Sequence, residues 1–272
     1  MIMASHRPVA LVTGAASGIG KAAALELVDA GYEVVGTSRH VEGSAPYGKV
    51  TFVPLDVSKD DSVAAAVEQM LTRFGRIDVL VNNAGVGSAG AAEETSLAQD
   101  HAAFEINVFG TIRMIKAVLP HMRAQGGGRI VNLSSVVGFI PMPFMAIYSA
   151  SKHANEGYSW SLDHEVREYG IRVVTVEPAW TKTGFDVNSL QIAAPLHTYD
   201  ARRKVAENLI TDAVENGEDN AVVAKVIVAA ATDKKPKLRY TAGSQARLAA
   251  TMKRILPAGA FDQQMRKLNK IS

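Results

Sequence analysis

Six short aliphatic runs, separated by longer amphipathic stretches, limit what this chain can become more than any other feature. Residues 9–13, 33–37, 50–53, 77–81, 129–133 and 171–176 are rich in Val, Ile and Leu and do not alternate regularly between apolar and polar. A strand with one wet face alternates; a strand covered on both faces does not. The runs therefore predict a parallel sheet sandwiched between helices. The stretches between them carry helical spacing. Phe104, Val108, Ile112, Ile115, Leu119 and Met122 recur every three or four residues and mark one face of a long helix spanning 97–125. Gly126, Gly127 and Gly128 are expected to stop it. Strand, helix, strand in repetition gives right-handed crossovers and an open, doubly wound α/β sheet with helices on both faces.

No internal repeat, low-complexity tract or Pro-rich linker interrupts the 272 residues, so one domain is expected over 1–272. The connection 38–49 is too short and too rich in Gly, Ser and Pro for a full helix. A last strand at 238–241 is expected to end the sheet. Two short helices follow, with apolar stripes Leu248, Met252, Ile255 and Phe261, Met265, Leu268, parted by Pro257.

Composition removes several function classes. The chain has no cysteine, which excludes a disulfide scaffold, a Cys-ligated zinc site and a thiol nucleophile. His101, His121, His153, His164 and His197 form no metal-like pair, so no metal is expected. No stretch approaches the roughly 18 apolar residues of a membrane span, and the N-terminal residues lack the order of a signal peptide. A cytoplasmic protein is expected. The net charge of +2 is uneven: residues 233–272 hold ten Lys/Arg against two Asp/Glu. These charges sit among spaced apolar residues, as on a solvated helix face, and no interleaved aromatics favour nucleic acid. Residues 233–272 thus read as a basic strand-plus-helix extension of the same domain, with contact to a membrane surface as the competing reading.

Three groups of residues carry chemistry. Gly14, Ser17, Gly18, Ile19 and Gly20 follow the first strand and open a helix. Glycine permits a tight turn and close approach of backbone N–H groups, and a helix N-terminus favours a pyrophosphate. At the end of the second strand stand Ser38 and Arg39, with no acid to hold a ribose 2′-OH. A hydroxyl and a guanidinium suit a 2′-phosphate, so NADP(H) is preferred over NAD(H). Finally, Tyr148 and Lys152 lie four apart on one helix face, and Ser135 follows the fifth strand at the sheet end where ligands bind. A nearby ammonium favours the ionised form of a phenol.

Together these residues resemble the short-chain dehydrogenase/reductase family of the compact, single-domain, Rossmann type. The likeness runs over about 8–240 and includes, in the family's order, the turn at 13–20, Asp56 and Val57, Asn82 to Gly85, Asn107, Ser135, and the Tyr148 and Lys152 pair. The resemblance implies that Tyr148 exchanges a proton with a carbonyl or alcohol oxygen and that Ser135 hydrogen-bonds the same oxygen. Lys152 would lower the tyrosine pKa and bind the nicotinamide ribose. Asn107 would hold a water leading to Lys152, with a helix-packing amide as the alternative. Asp56 and Val57 would meet the adenine, Asn83, Ala84 and Gly85 would line the trough, and Pro178, Thr181 and Thr183 would sit near the carboxamide. Ala179 stands where the family has glycine. The expected activity is hydride transfer between NADPH and a fairly apolar carbonyl or alcohol, in a homo-oligomer paired through helices 97–125 and 146–169. The apolar stretch 183–199 is expected to close over the substrate, and 139–145 to form either core or pocket wall. A non-catalytic NADP(H) sensor is the alternative, against which the intact Ser135, Tyr148 and Lys152 set argues.

Overall fold

A computed structural model describes residues 7–40, 48–182 and 192–270. Its centre is one seven-stranded parallel sheet of order β3-β2-β1-β4-β5-β6-β7, built from β1 (Val9–Val12), β2 (Glu33–Ser38), β3 (Val50–Pro54), β4 (Val79–Asn82), β5 (Gly128–Leu133), β6 (Ile171–Pro178) and β7 (Arg239–Ala242). The strand order reverses between β1 and β4, and such a switch point opens a crevice at the carboxyl ends of the strands. Helices α1 (Gly18–Asp29) and α7 (Asn220–Thr232) cover one face through Ala23, Leu27, Val223 and Ile227. On the other, α2 (Asp60–Phe74), α4 (Thr111–Ala124) and α5 (Ala146–Val166) bury Val67, Met70, Ile115, Met122 and Leu162. Both faces are dry, which is why the strands lack alternation. Among the described residues no helix is long and apolar enough to cross a membrane.

The fourth strand begins two residues later than expected. The Asp78 side chain accepts the Val9 N–H at 2.7 Å, and the ladder with β1 starts at Val79. The expected helix over 97–125 is instead α3 (Leu97–Phe104), a π-helical stretch Glu105–Gly110, and α4. Two side chains claim the Asn107 carbonyl, Thr111 Oγ1 at 3.0 Å and Asn155 Nδ2 at 2.9 Å, at the point where the helix widens. The register change alters the stripe. Met114 and Val118 join Ile115 and Met122 in the core, while Ile112 and Leu119 are only partly buried. Gly126, at φ +85°, lies just beyond the end of α4 as expected.

After α6 (Asp200–Glu215) and α7, the basic end forms β7, α8 (Ser244–Ile255) and α9 (Ala258–Leu268). The expected stripe of α8 is wrong: Leu248 is 60% and Ile255 67% exposed, and the helix buries Ala246 and Ala249 instead. Alanine lets α8 sit close against Val136 and Val137, the short turn after β5. In α9, Phe261 and Met265 are buried as expected, but Leu268 is exposed. The connection expected to lack a helix falls largely on 41–47, outside the described residues.

Candidate active site

The turn after β1 works by excluding side chains. Gly14 and Gly18 have φ of +64° and +54°. A Cβ on Gly20 would stand 2.3 Å from the Gly14 carbonyl oxygen and 2.4 Å from Asn83 Nδ2, so nothing larger than glycine fits. Asn83 locks the turn across the switch point by donating to the carbonyls of Thr13 at 2.9 Å and Gly14 at 3.0 Å. Thr13 Oγ1 in return accepts the N–H groups of Asn83 and Ala84, both at 3.0 Å. Helix α1 starts with no side-chain cap from Ser17 and no acid in its first turn, which leaves its N–H groups free for an anion. Gly14, Ser17, Gly18 and Ile19 line a cleft of about 440 Å³ that runs along the carboxyl ends of the strands. Gly20 lies behind it as packing.

Further along the cleft, Ser38 and Arg39 line the wall beside Asp56, Val57 and Ser58. The Asp56 carboxyl is held below its ordinary value, first by the Ser58 hydroxyl at 2.7 Å and also by the Arg39 charge. Asn83, Ala84 and Gly85 form the floor, and Pro178 and Thr181 the far end. Thr183 lies outside the described residues.

Ser135, Tyr148 and Lys152 are brought together on the same cleft. Ser135 hydrogen-bonds the Tyr148 phenol. The Lys152 ammonium donates to the Leu133 carbonyl at 2.8 Å and lies 5.6 Å from the Tyr148 ring centre. Burial pushes the phenol above its usual range, opposed by the Ser135 hydrogen bond. Burial also brings Lys152 down to about 8. Asn107, in the π-helical stretch, is almost fully buried. Its amide donates to the Val86 carbonyl at 3.0 Å and Ser151 Oγ at 3.1 Å and accepts the Val86 N–H at 2.8 Å. That pattern braces the loop after β4, and both amide donors are in use.

Several lining residues gave no motif. Val137, Met145 and Trp180 face the cleft, and Val214 reaches it from α6. Of residues 139–145, only Met145 lines it; Phe139, Ile140 and Met142 pack toward α8. Val214 carried no sequence signal, being far in the chain from every motif. The Lys152 partner is a backbone carbonyl, which no side-chain pattern announces. At the far end of the apolar stretch, Glu94 accepts the N–H of Leu196 at 2.8 Å and of Ala91 at 2.9 Å and pairs with Arg203. Tyr199 meets Phe144 edge-on at 6.2 Å. The rest of that stretch, 183–191, lies outside the described residues. Among the described residues no group of three or more acids and histidines is placed to hold a metal.

The sequence profile described as short chain dehydrogenase matches residues 8–192. A relative named 3-ketodihydrosphingosine reductase, from Bacteroides thetaiotaomicron, is 44% identical over 180 residues, covering 66% of this chain and 66% of its own. A short chain dehydrogenase/reductase from Burkholderia phymatum, solved in complex with NAD, superimposes with a TM-score of 0.80 at 28% identity, covering 96% of this chain and 97% of the other. ElxO, solved with NADP bound, gives a TM-score of 0.73 at 28% identity over 87% of this chain and 97% of its own.

Proposed function

The chain belongs to the short-chain dehydrogenase/reductase family, oxidoreductases that use a nicotinamide cofactor, and from this we propose that it reduces a fairly apolar carbonyl with NADPH or runs the reverse oxidation. The observation that carries the reading is the meeting of Ser135, Tyr148 and Lys152 on one cleft with the glycine turn. The cradle fits a dinucleotide: Gly14 and Gly18, both at positive φ, bring bare backbone to the cleft, and the uncapped start of α1 faces it. When bound, the nicotinamide supplies or accepts the hydride.

The chain's own residues handle the proton. Burial keeps the Tyr148 phenol protonated, as an acid must be before it donates to a carbonyl oxygen. Ser135, already bonded to that phenol, is placed to hydrogen-bond the same oxygen as charge develops on it. Lys152 uses one N–H on Leu133 and keeps two for a ribose hydroxyl. A water held near Asn107 would link Lys152 to solvent through the one acceptor lone pair its amide keeps. Ser38 and Arg39 support NADPH over NADH, with Asp56 and Val57 toward the adenine and Pro178 and Thr181 toward the carboxamide. Solved neighbours hold either dinucleotide, so the preference rests on these side chains.

Val136, Val137, Met145, Trp180 and Val214 give the substrate end an apolar wall, and the two cations among the described lining residues are Lys152 and, beside Ser38, Arg39. This supports a long-chain or aromatic ketone over a phosphorylated one, in keeping with the relative named as a 3-ketodihydrosphingosine reductase. One sheet carries both cofactor and catalytic residues, which supports a single domain. Leu97 and Phe109, 76% and 50% exposed on the helices expected to pair, support a homo-oligomer; a monomeric mass by light scattering would remove that element. The test of the function follows NADPH and NADH absorbance against carbonyls of rising hydrophobicity and against sugar phosphates. Turnover of apolar ketones with NADPH is expected. Tight NADPH binding with no turnover would point to a sensor instead.

A further inference from the structure

One helical turn beyond Lys152, at i+4 on α5, stands Glu156, and across from it on β6 stands Glu177. They are 2% and 0% exposed. The two carboxyl groups contact each other. Glu156 Oε2 accepts Thr175 Oγ1 at 2.9 Å, and the buried Ser134 hydroxyl also faces the carboxyl group. Glu177 is held by the Arg239 guanidinium, which also lies 4.7 Å over Phe139 and 5.4 Å over Trp160. Two buried carboxylates in contact cannot both ionise without strong repulsion, and one proton held between them removes it. Burial pushes Glu177 up to about 7, with the Arg239 bond opposing and the Glu156 charge adding to the rise. Burial lowers Lys152, and the Glu156 charge resists that fall.

We propose that Glu156 and Glu177 hold one proton between them, and that Glu156 is a positioning residue whose share of the remaining negative charge keeps Lys152 an ammonium seated on the Leu133 carbonyl. The inference rests on the reading of Lys152 as part of the reacting site. The groups that face Glu156 are Lys152 from its own helix, Ser134 from beyond β5, Thr175 and Glu177 from β6, and Arg239 from β7. Arg239 is already paired with Glu177, so Lys152 is the cation whose charge depends on Glu156. The carboxyl pair thus links β6 to the proton-handling group of the cleft.

The experiment compares Glu156→Gln and Glu177→Gln in the full-length protein. Glu156→Gln removes the anion beside Lys152, so the alkaline limb of the kcat/KM pH profile is expected to move toward acid by at least about one pH unit. In Glu177→Gln the new amide donates to Glu156, which then carries the whole negative charge, and the alkaline limb does not move toward acid. Infrared difference spectra between about pH 6 and alkaline pH, where ordinary carboxylates stay ionised, read the proton itself: a protonated-carboxyl C=O band is expected in the wild type and absent from both variants. A uniformly lower kcat with an unmoved limb in Glu156→Gln would reduce the residue to packing and overturn the proposal. So would a wild type without the infrared band. The band does not depend on turnover, so it decides the shared proton even if the wild type turns over no carbonyl or Glu156→Gln fails to fold.

Discussion

The glycine turn at the cleft and the loops gathered around Glu94 are held together by different forces. At the glycine turn, short side chains clamp the main chain: Gly14, Gly20, Thr13 and Asn83 interlock so closely that Gly20 admits no Cβ. Around Glu94, outside the lining of the cleft, loops are tied by charged side chains far apart in sequence. Glu94 takes Arg203, the N–H groups of Ala91 and Leu196, and through its own carbonyl the N–H groups of Ala193 and Ala194 at 3.2 and 3.3 Å. The first arrangement tolerates few residue types and has one geometry. The second is adjustable, because an ion pair can be replaced or moved without rebuilding the sheet. A fixed grip on a common cofactor beside adjustable loops is how one fold serves many reactions.

The contrast is tested most severely at Gly20. Gly20→Ala forces the turn away from Asn83, an overpacking that costs about 1–3 kcal/mol, so dinucleotide affinity should fall about 10- to 100-fold. Turnover at saturating cofactor should survive. A fluorescence titration that finds affinity within twofold of wild type would show that the turn yields. Ser38→Asp sharpens the comparison within the cofactor end. A new carboxylate repels a 2′-phosphate and offers a ribose partner, so the NADPH-to-NADH ratio of kcat/KM should drop about tenfold. An unchanged ratio would remove Ser38 and Arg39 from cofactor choice.

Glu94→Gln probes the other region and should raise substrate KM a few-fold while leaving cofactor affinity alone. The same group carries a pH dependence. Arg203 holds the Glu94 carboxyl down to about 2, below its ordinary 4.5. Its contribution is therefore complete above about pH 4.5 and is lost as pH falls toward 2. The protection factor of the Leu196 amide, its exchange rate referred to the free-peptide rate at each pH, should fall over that window in the wild type and be low throughout in Glu94→Gln. Protection that ignores both acid and mutation would break the proposed tie.

The same difference explains what was legible in the sequence. Aliphatic runs fix the sheet because strands dry on both faces cannot hide their composition, and the glycines, Asn83, Ser135, Tyr148 and Lys152 were readable because sterics or chemistry demand those types. The π-helical stretch was not readable: it depends on Thr111 and Asn155 meeting at one carbonyl, and Asn155 is distant in sequence. The apolar stripe of α8 misled because Leu248 and Ile255 have the right spacing, yet close packing on Val136 and Val137 selects the small Ala246 and Ala249. Glu156 had a signal, the i+4 spacing from Lys152, but its meaning needed Glu177 from another strand.

The central claim is that the cleft separates cofactor grip from proton transfer, with the latter resting on Tyr148. Tyr148→Phe keeps the ring and removes the proton. Paired measurements of NADPH affinity by fluorescence and of single-turnover ketone reduction should therefore diverge: affinity within about twofold of wild type, turnover lower by at least about 10²-fold. Near-normal turnover in Tyr148→Phe would contradict the account, as would a loss of NADPH affinity that matched the loss of rate.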